Sequence, residues 1–333
     1  MSMSMETIQI SGTSLTSSKI ALGTWAIGGW MWGGSDESDA VRTIHSALDR
    51  GITMVDTAPV YGFGRAEEIV GKALAEGGRR ERVLIATKVG LEWRDGQVLR
   101  NASPRRIRKE IEDSLRRLKT DHVDLYQVHW PDPLVPIEET AATLGQLLKE
   151  GKVRALGVSN FSPAQMEQFR KVAPLHSTQP PYNLFERAIE KDVLPYAKRN
   201  GLTLLAYGAL CRGLLSGKLS LDSKFEGDDL RRADPKFQAP RFRQYLTAVQ
   251  ALDRFAQVRF GKNVLALAVR WILDQGETIA LWGARRPEQL AAVDEDIGWS
   301  LDAASRAEID LILLANVWDP VGPEFMAPVA RAA

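Results

Sequence analysis

Only one cysteine, Cys211, occurs in the 333 residues. An intrachain disulfide is therefore impossible, and thiolate-rich metal sites are excluded. The four histidines are scattered, with no ligand spacing such as H-E-x-x-H, so no metal is expected. No apolar run approaches ~18 residues, so no transmembrane helix is expected. The opening MSMSMETIQI has no basic start followed by an apolar run, and no secretory leader is expected. Charge of either sign is lacking in excess. The net charge is +1, which gives no reason to expect nucleic acid or an anionic membrane as partner. A cytoplasmic location is the expectation that goes with these absences. Missing too is a G-x-G-x-x-G opening a helix after the first strand. GTWAIGGWMWGG has the glycines, but three tryptophans among them make a poor pyrophosphate turn.

What is present is an alternation of short apolar runs and amphipathic segments. Hydrophobic content is 44% and charged content 26%, ordinary for a globular chain. KIALGTW, ITMVDT, VLIATK, VDLYQVH, VRALGVS, LHSTQ, LTLLAYG and TIALWG read as eight strands. They are nearly continuous in apolar residues, as strands covered on both faces are. Between them lie helical patterns. SDESDAVRTIHSALDRG has Ser35 as its cap and Gly51 as its stop, and SPRRIRKEIEDSLRRL has Ser103 as cap with Pro104 in its first turn. SPAQMEQFRKV repeats that start, and RPEQLAAVDEDIG is the helix of the eighth unit. The stretch from Ala209 to about Arg243 is read as a functional or mobile insertion, and LDAASRAEIDLILL as an extra helix before an irregular tail. Eight strand-helix units without a composition break predict one domain over residues 1–333. Its class is α/β, a (β/α)8 TIM barrel, with a doubly wound open sheet as the competing architecture.

Three of these strands end in chemistry. ITMVD ends at Asp56, VLIATK at Lys88 and VDLYQVH at His129, and Tyr61 follows Asp56 in the next loop. A tyrosine is a weak acid with pKa ~10 in water. A lysine ammonium within hydrogen-bond reach favours its phenolate, and an aspartate keeps that lysine charged when desolvated. A histidine beside the pair can orient a carbonyl. Each residue alone has a structural reading, as a cap, a strand end, a core histidine or packing. Together, at consecutive strand ends, they make a proton-transfer device.

The stretches DTAPVYGFGRAEEIVGKAL, ATKVG, VDLYQVHWPD, GKVRALGVSNFSP, AYGALCRGLLSGK and GARRPEQL resemble the aldo-keto reductase superfamily, in order, from about Leu22 to Leu290. The resemblance implies a (β/α)8 barrel and reversible hydride transfer between a nicotinamide, usually NADPH with NADH possible, and an aldehyde or ketone. It implies Tyr61 as general acid, Lys88 and Asp56 as its tuners, and His129 as the group that orients the carbonyl. It implies further that Ser159, Asn160 and Gln179 hold the nicotinamide carboxamide and that Tyr207 stacks on its ring. Gly208, Ala209 and Leu210 stand where the commoner pattern is Ser-Pro-Leu, which removes a hydroxyl from the pyrophosphate neighbourhood. Backbone N–H groups there, with Arg212 and Gly213, compensate in this reading. Gly283, Ala284, Arg285 and Gln289 match the adenosine-phosphate segment, with Arg285 or Arg286 for a 2′-phosphate. Val293 stands where many relatives place an asparagine for the adenine.

Trp25, Trp30, Trp32, Trp93 and Trp130 fall beside the catalytic strand ends, and aromatic walls suit a largely apolar pocket. Trp25, Trp32 and Trp130, with Tyr61 and His129, are the expected substrate contacts, and Trp25 and Asp56 also border the cofactor. Cys211 is read as an apolar filler rather than a reactive thiol. A second reading is a cofactor-binding regulatory or scaffold subunit with little turnover. Oligomeric state is not encoded in these patterns.

Overall fold

The computed structural model describes residues 5–331, the side chain of Asp296 excepted. Eight parallel strands close into a barrel in chain order. They are β1 (Ile20–Gly23), β2 (Met54–Asp56), β3 (Leu84–Val89), β4 (Leu125–Val128), β5 (Leu156–Ser159), β6 (Ser177–Gln179), β7 (Thr203–Ala206) and β8 (Thr278–Gly283). β8 pairs with β1 to complete the ring, Ala280 opposite Ile20 and Gly283 opposite Gly23. The closed barrel is the architecture that the eight-unit count predicts, and the competing open sheet is ruled out.

Helices follow the strands and cover the outer wall. They are α1 (Glu37–Asp49), α2 (Arg65–Leu74), α3 (Pro104–Leu118), α4 (Ile137–Lys149), α5 (Pro163–Arg170), α6 (Val193–Arg199), α7 (Arg241–Phe260), α8 (Val264–Leu273) and α9 (Ala303–Asn316). Ser103 accepts the Arg106 N–H at the start of α3, and Ser162 with Gln165 forms a capping box on α5. At α1 the cap is Asp36, which accepts the Asp39 N–H, rather than Ser35. Ser35 instead donates to the Ile27 carbonyl, 2.6 Å away. The expected helix after β8 is two short 3-10 turns, Pro287–Leu290 and Val293–Asp296. The Trp282 indole donates to the Gln289 carbonyl at 3.1 Å, in the first of these turns.

Strand parity decides what fills the barrel. Met54, Ala86, Leu125, Leu205 and Ile279 pack together inside it. Each of these side chains other than the Ala86 methyl contributes about 1.5–3 kcal/mol when removed from water. Residues two positions further along face the same interior, so Asp56, Lys88 and Gln127 form the next layer toward the mouth. Gly157 leaves room for it, since a Cβ there would meet the Gln127 Cγ at 2.9 Å. Thr87, of opposite parity, faces the helices and donates to the buried Glu67 at 2.7 Å. Beside it α3 buries Glu110, which is bonded to Arg106 at 2.8 Å.

The polar lead-in forms a hairpin, Thr7–Gln9 against Thr16–Ser18, whose Ile8, Ile10 and Leu15 plug the floor of the barrel. At the opposite end a second hairpin, Leu91–Arg94 against Gln97–Arg100, rises beside the mouth. The tail pairs with it through Val329 and Ala330. The insertion after β7 is anchored rather than loose: Leu214, Leu215, Leu230 and Phe237 are buried. No helix among the described residues is long and apolar enough to cross a membrane.

Candidate active site

The layer set by strand parity is a hydrogen-bonded cluster. Lys88 Nζ lies 2.5 Å from Asp56 Oδ1, donates to the Thr57 carbonyl at 3.0 Å, and reaches the Tyr61 hydroxyl at 3.2 Å. The second oxygen of Asp56 accepts from Gln179 at 2.8 Å and from Gln127 at 3.3 Å. Gln179 also donates to Gln127, at 3.2 Å. Both carboxylate oxygens are thus satisfied in a site that is almost fully buried. Burial opposes the charge on Lys88, yet Asp56 and the phenol together hold its pKa above the usual lysine value.

Tyr61 is brought to the lysine by a close approach of two loops. The single helical turn Trp25–Gly28 lies against the backbone of Tyr61 and Gly62. A Cβ on Gly28 would sit 2.6 Å from the Tyr61 carbonyl carbon, and one on Gly62 would sit 2.2 Å from the Gly28 oxygen. Gly62 also takes a φ of +66°, which favours glycine. Burial raises the phenol above its ordinary pKa, outweighing the pull of Lys88. The expected lowering by the lysine is therefore overridden by desolvation, and Tyr61 stays a phenol through neutral pH. Burial, with the charge of Lys88 added, holds the His129 imidazole well below its ordinary value, so it is neutral. Its ring meets the Tyr61 ring edge-on, at 5.9 Å between centroids.

Tyr61 and His129 stand at the inner end of a cavity of about 230 Å3. Ser159, Asn160, Gln179 and Tyr207 share that end. Ser159 donates to the Gln179 carbonyl at 2.7 Å, and Asn160 bridges the His129 carbonyl and the Tyr207 hydroxyl at 3.0 and 2.9 Å. Asn160 takes a left-handed φ of +61° to do so. The outer walls are Trp30, Val60, Leu91, Val98, Trp130 and the tail residues Phe325, Met326 and Pro328. Trp32, expected at the substrate, is turned away from this cavity. It packs edge-on against Trp25 at 5.7 Å, and Trp30 takes the place on the wall. Trp93 packs on Phe63 instead.

A groove of about 430 Å3 meets the cavity at Trp25, Tyr61, Tyr207 and Met326. Trp32, Asp56, Gly208, Ala209, Leu210, Arg212, Gly213, Gly283, Ala284, Arg285 and Gln289 line it. The indole N–H groups of Trp25 and Trp32 are buried there and have no acceptor among the described residues. A groove with orphaned donors, exposed loop backbone and cationic side chains fits an anionic dinucleotide.

Two expected phosphate ligands are otherwise engaged. The Arg212 guanidinium is held between Glu186 and Asp234, which neutralise it. The Arg285 guanidinium donates to the carbonyls of Trp32 and Gly34, at 2.7 and 2.6 Å, and so ties down the loop after β1. Asp228 holds that loop from the other side through the N–H groups of Met31 and Gly33. Lys218 and Arg286, also on the groove, carry none of these contacts. Gln289 spends its side-chain oxygen on the N–H groups of Arg285 and Arg286. Val293 is fully buried and faces no ligand groove. Cys211 is buried and its thiol is pushed up to about 12, so it is a filler. Among the described residues no group of three or more His, Cys, Asp or Glu side chains is placed to hold a metal ion.

Gln127 was not singled out by its residue type. Its signal is parity, since it shares the interior side of its strand with Leu125, as Asp56 and Lys88 share theirs with Met54 and Ala86. The tail residues carry no local signal.

Comparison with known proteins agrees with the closed barrel. The model of the Aldo/keto reductase family matches residues 19–313. The aldo-keto reductase YhdN of Bacillus subtilis is 60% identical, over 98% of this chain and 99% of its own. The NADH-specific methylglyoxal reductase of Escherichia coli is 36% identical, over 86% and 91%. Among solved structures, the glycerol dehydrogenase AKR11B4 from Gluconobacter oxydans superimposes with a TM-score of 0.88 at 56% identity, covering 96% of this chain and 99% of that one. An aldo-keto reductase from Klebsiella pneumoniae in complex with NADPH gives 0.73 at 25% identity, over 99% and 100%.

Proposed function

The chain belongs to the aldo/keto reductase family, and we propose that it reduces the carbonyl of a small aldehyde or ketone to an alcohol, with NADPH as the first choice of cofactor. The observation that carries the proposal is Lys88 placed between the Asp56 carboxylate and the Tyr61 hydroxyl, where a carbonyl-sized cavity meets a dinucleotide-sized groove. When bound, the dinucleotide supplies the hydride. Ser159, Asn160 and Gln179 would hold its carboxamide, and Tyr207 would stack on the ring. The loop backbone at Gly208, Ala209, Leu210 and Gly213 would take the diphosphate, and Gly283, Ala284 and Gln289 the adenosine end. Lys218 and Arg286 would supply the charge that Arg212 and Arg285 have committed elsewhere.

The chain's own groups handle the proton. Tyr61, a phenol at neutral pH, gives its proton to the carbonyl oxygen as negative charge gathers there. The Lys88 ammonium stabilises the phenolate left behind, and Asp56 keeps that ammonium charged. Gln127 and Gln179 fix Asp56, and so the lysine. His129, neutral, can offer one ring N–H to the same oxygen and orient it. The walls beyond are apolar and aromatic, which suits an uncharged carbonyl compound. Nucleic acid and membrane have no part in this reading, and a cytoplasmic location goes with it.

The test is nicotinamide absorbance with NADPH and NADH against methylglyoxal, glyceraldehyde and benzaldehyde. Tyr61→Phe is expected to lose ~10²–10⁴-fold in turnover while still quenching tryptophan fluorescence on NADPH binding. Full activity in that variant refutes the assignment. Binding without turnover of any carbonyl by the parent favours the scaffold reading. Tighter NADH than NADPH binding transfers to this chain the preference in its Escherichia coli relative's name.

A further inference from the structure

The buried charges that this scheme leaves unused lie together. Lys236 is fully buried, and Arg212, Glu186 and Asp234 are nearly so. Lys236 Nζ lies 2.8 Å from Glu186 and donates to the Gly322 carbonyl at 3.1 Å. Arg212 bridges Glu186 and Asp234. Asn183 donates to the other Glu186 oxygen at 2.8 Å and to the Gly208 carbonyl at 3.0 Å. Burial works against the charge of Glu186, but Arg212 and Lys236 pull its pKa below the usual range. Two cations and two anions make the cluster neutral overall.

Desolvating four ions is costly, and apolar residues of the same volume often serve stability as well or better. What apolar residues lack is direction. This cluster aims one hydrogen bond at Gly208, on the groove, and another at Gly322, in the tail. The tail then crosses the mouth. Phe325, Met326 and Pro328 wall the cavity, and Met326 also borders the groove. The Phe325 ring lies over the Arg212 guanidinium at 5.8 Å. Beyond it the tail is fixed again. Arg100 donates to the Pro328 carbonyl at 2.8 Å, and Arg331 pairs with the buried Asp132. The segment is a strap between two anchors, and the near anchor is Lys236, helped by the Tyr245 hydroxyl, which accepts the Val321 N–H at 3.1 Å.

We infer that Lys236 is a positioning residue for the reaction. Through Gly322 it sets the strap that walls the substrate cavity, and through Glu186 and Arg212 it links that setting to the loop lining the dinucleotide groove. The inference rests on the carbonyl reduction proposed above.

Lys236→Met keeps the length and removes the ammonium. The expected result is a KM for benzaldehyde raised about tenfold with kcat nearly unchanged, the pattern of lost substrate binding. NADPH affinity, read by tryptophan quenching, falls as well because Met326 is shared. Chymotrypsin cleavage after Phe325 accelerates. A folded Lys236→Met protein, checked by circular dichroism and melting, with KM and cleavage unchanged overturns the inference. If that variant does not fold, Lys236→Arg keeps the charge but cannot place one ammonium between Glu186 and the Gly322 carbonyl. It is expected to shift KM and cleavage in the same direction, and no shift in either overturns the inference. Absence of turnover in the parent sinks the reduction alone; the protease and NADPH measurements then decide the strap.

Discussion

A single methyl group at position 28 should disable turnover while leaving the barrel folded. The backbone of Gly28 is not left-handed, so alanine fits its conformation, and alanine is the better helix former in the turn it ends. The harm comes from contact. The added Cβ meets the Tyr61 carbonyl carbon at 2.6 Å, its oxygen at 2.7 Å and the Gly62 nitrogen at 2.9 Å. Ordinary contacts between carbon atoms begin near ~3.5 Å, so the loops must part by about 0.9 Å. Neither loop can yield without the other, because each is already against the other's backbone. If the shift passes to the Tyr61 hydroxyl, its 3.2 Å contact with Lys88 lengthens past hydrogen-bond range. A misplacement of ~1 Å can cost ~10²-fold in rate, about 2.7 kcal/mol in the barrier. The overpacking itself costs about 1–3 kcal/mol of stability. Steady-state oxidation of NADPH with benzaldehyde reads the first quantity, and thermal melting the second. Gly145→Ala, in α4, is the control, since its Cβ meets only the Ala173 Cβ at 3.4 Å; it should leave kcat alone. A folded Gly28→Ala protein with kcat close to that of the parent would refute the reasoning, because the fit of these two loops would then not set the tyrosine.

Two further predictions concern protons. Tyr61 is held above its ordinary pKa by burial and His129 well below its own, so neither titrates between pH ~7 and ~9. Carbonyl reduction should be flat there and fall only at more alkaline pH, as the phenol ionises, while alcohol oxidation rises over that alkaline range. An inflection of kcat near neutrality, under saturating substrate and cofactor, would contradict this. Glu110 is raised by burial to about 7, from an ordinary carboxyl value of 4.5. A carboxyl that binds its proton more tightly when folded favours the fold at low pH and loses that contribution as pH climbs from about 4.5 through about 7. Glu110→Gln, which cannot ionise, should therefore gain stability relative to the parent over that window, by about 3 kcal/mol in all. Melting curves of the two proteins from acid to pH 8 check it, and parallel curves would refute it.

The eight apolar runs each became a barrel strand because continuous burial on both faces leaves little else for such runs to be. Asp56, Lys88 and His129 were visible because a titratable side chain at the end of a buried run is conspicuous. Gln127 was not, since a neutral amide in a strand attracts no notice until its parity is matched with Asp56 and Lys88. Trp32 and Trp30 sit two positions apart in one loop, and nothing local decides which of them faces the cavity; the clasp by Asp228 and Arg285 does. Arg212 and Arg285 read as phosphate ligands from their neighbourhood in the chain. Their actual partners, Asp234 and the carbonyls of Trp32 and Gly34, lie 22 and about 250 residues away. The segment after β8 carries a helical pattern but forms two short 3-10 turns, and nothing in the residue pattern marks the break between them. The tail reads as irregular, yet it holds a 3-10 turn and a two-residue strand, and its place over the mouth is fixed only by long-range contacts.

The plugged floor gives the molecule a front and a back. The hairpin that carries Ile8 and Ile10 lies at the end of the barrel remote from Tyr61, whereas Arg331 belongs to the strap beside it. An affinity tag, a fluorescent fusion or a bond to a solid support is therefore best joined ahead of residue 5. Enzyme tethered that way to a bead or an electrode presents its open mouth to the solution, and the same handle at the other terminus would pull on the wall that shapes the substrate.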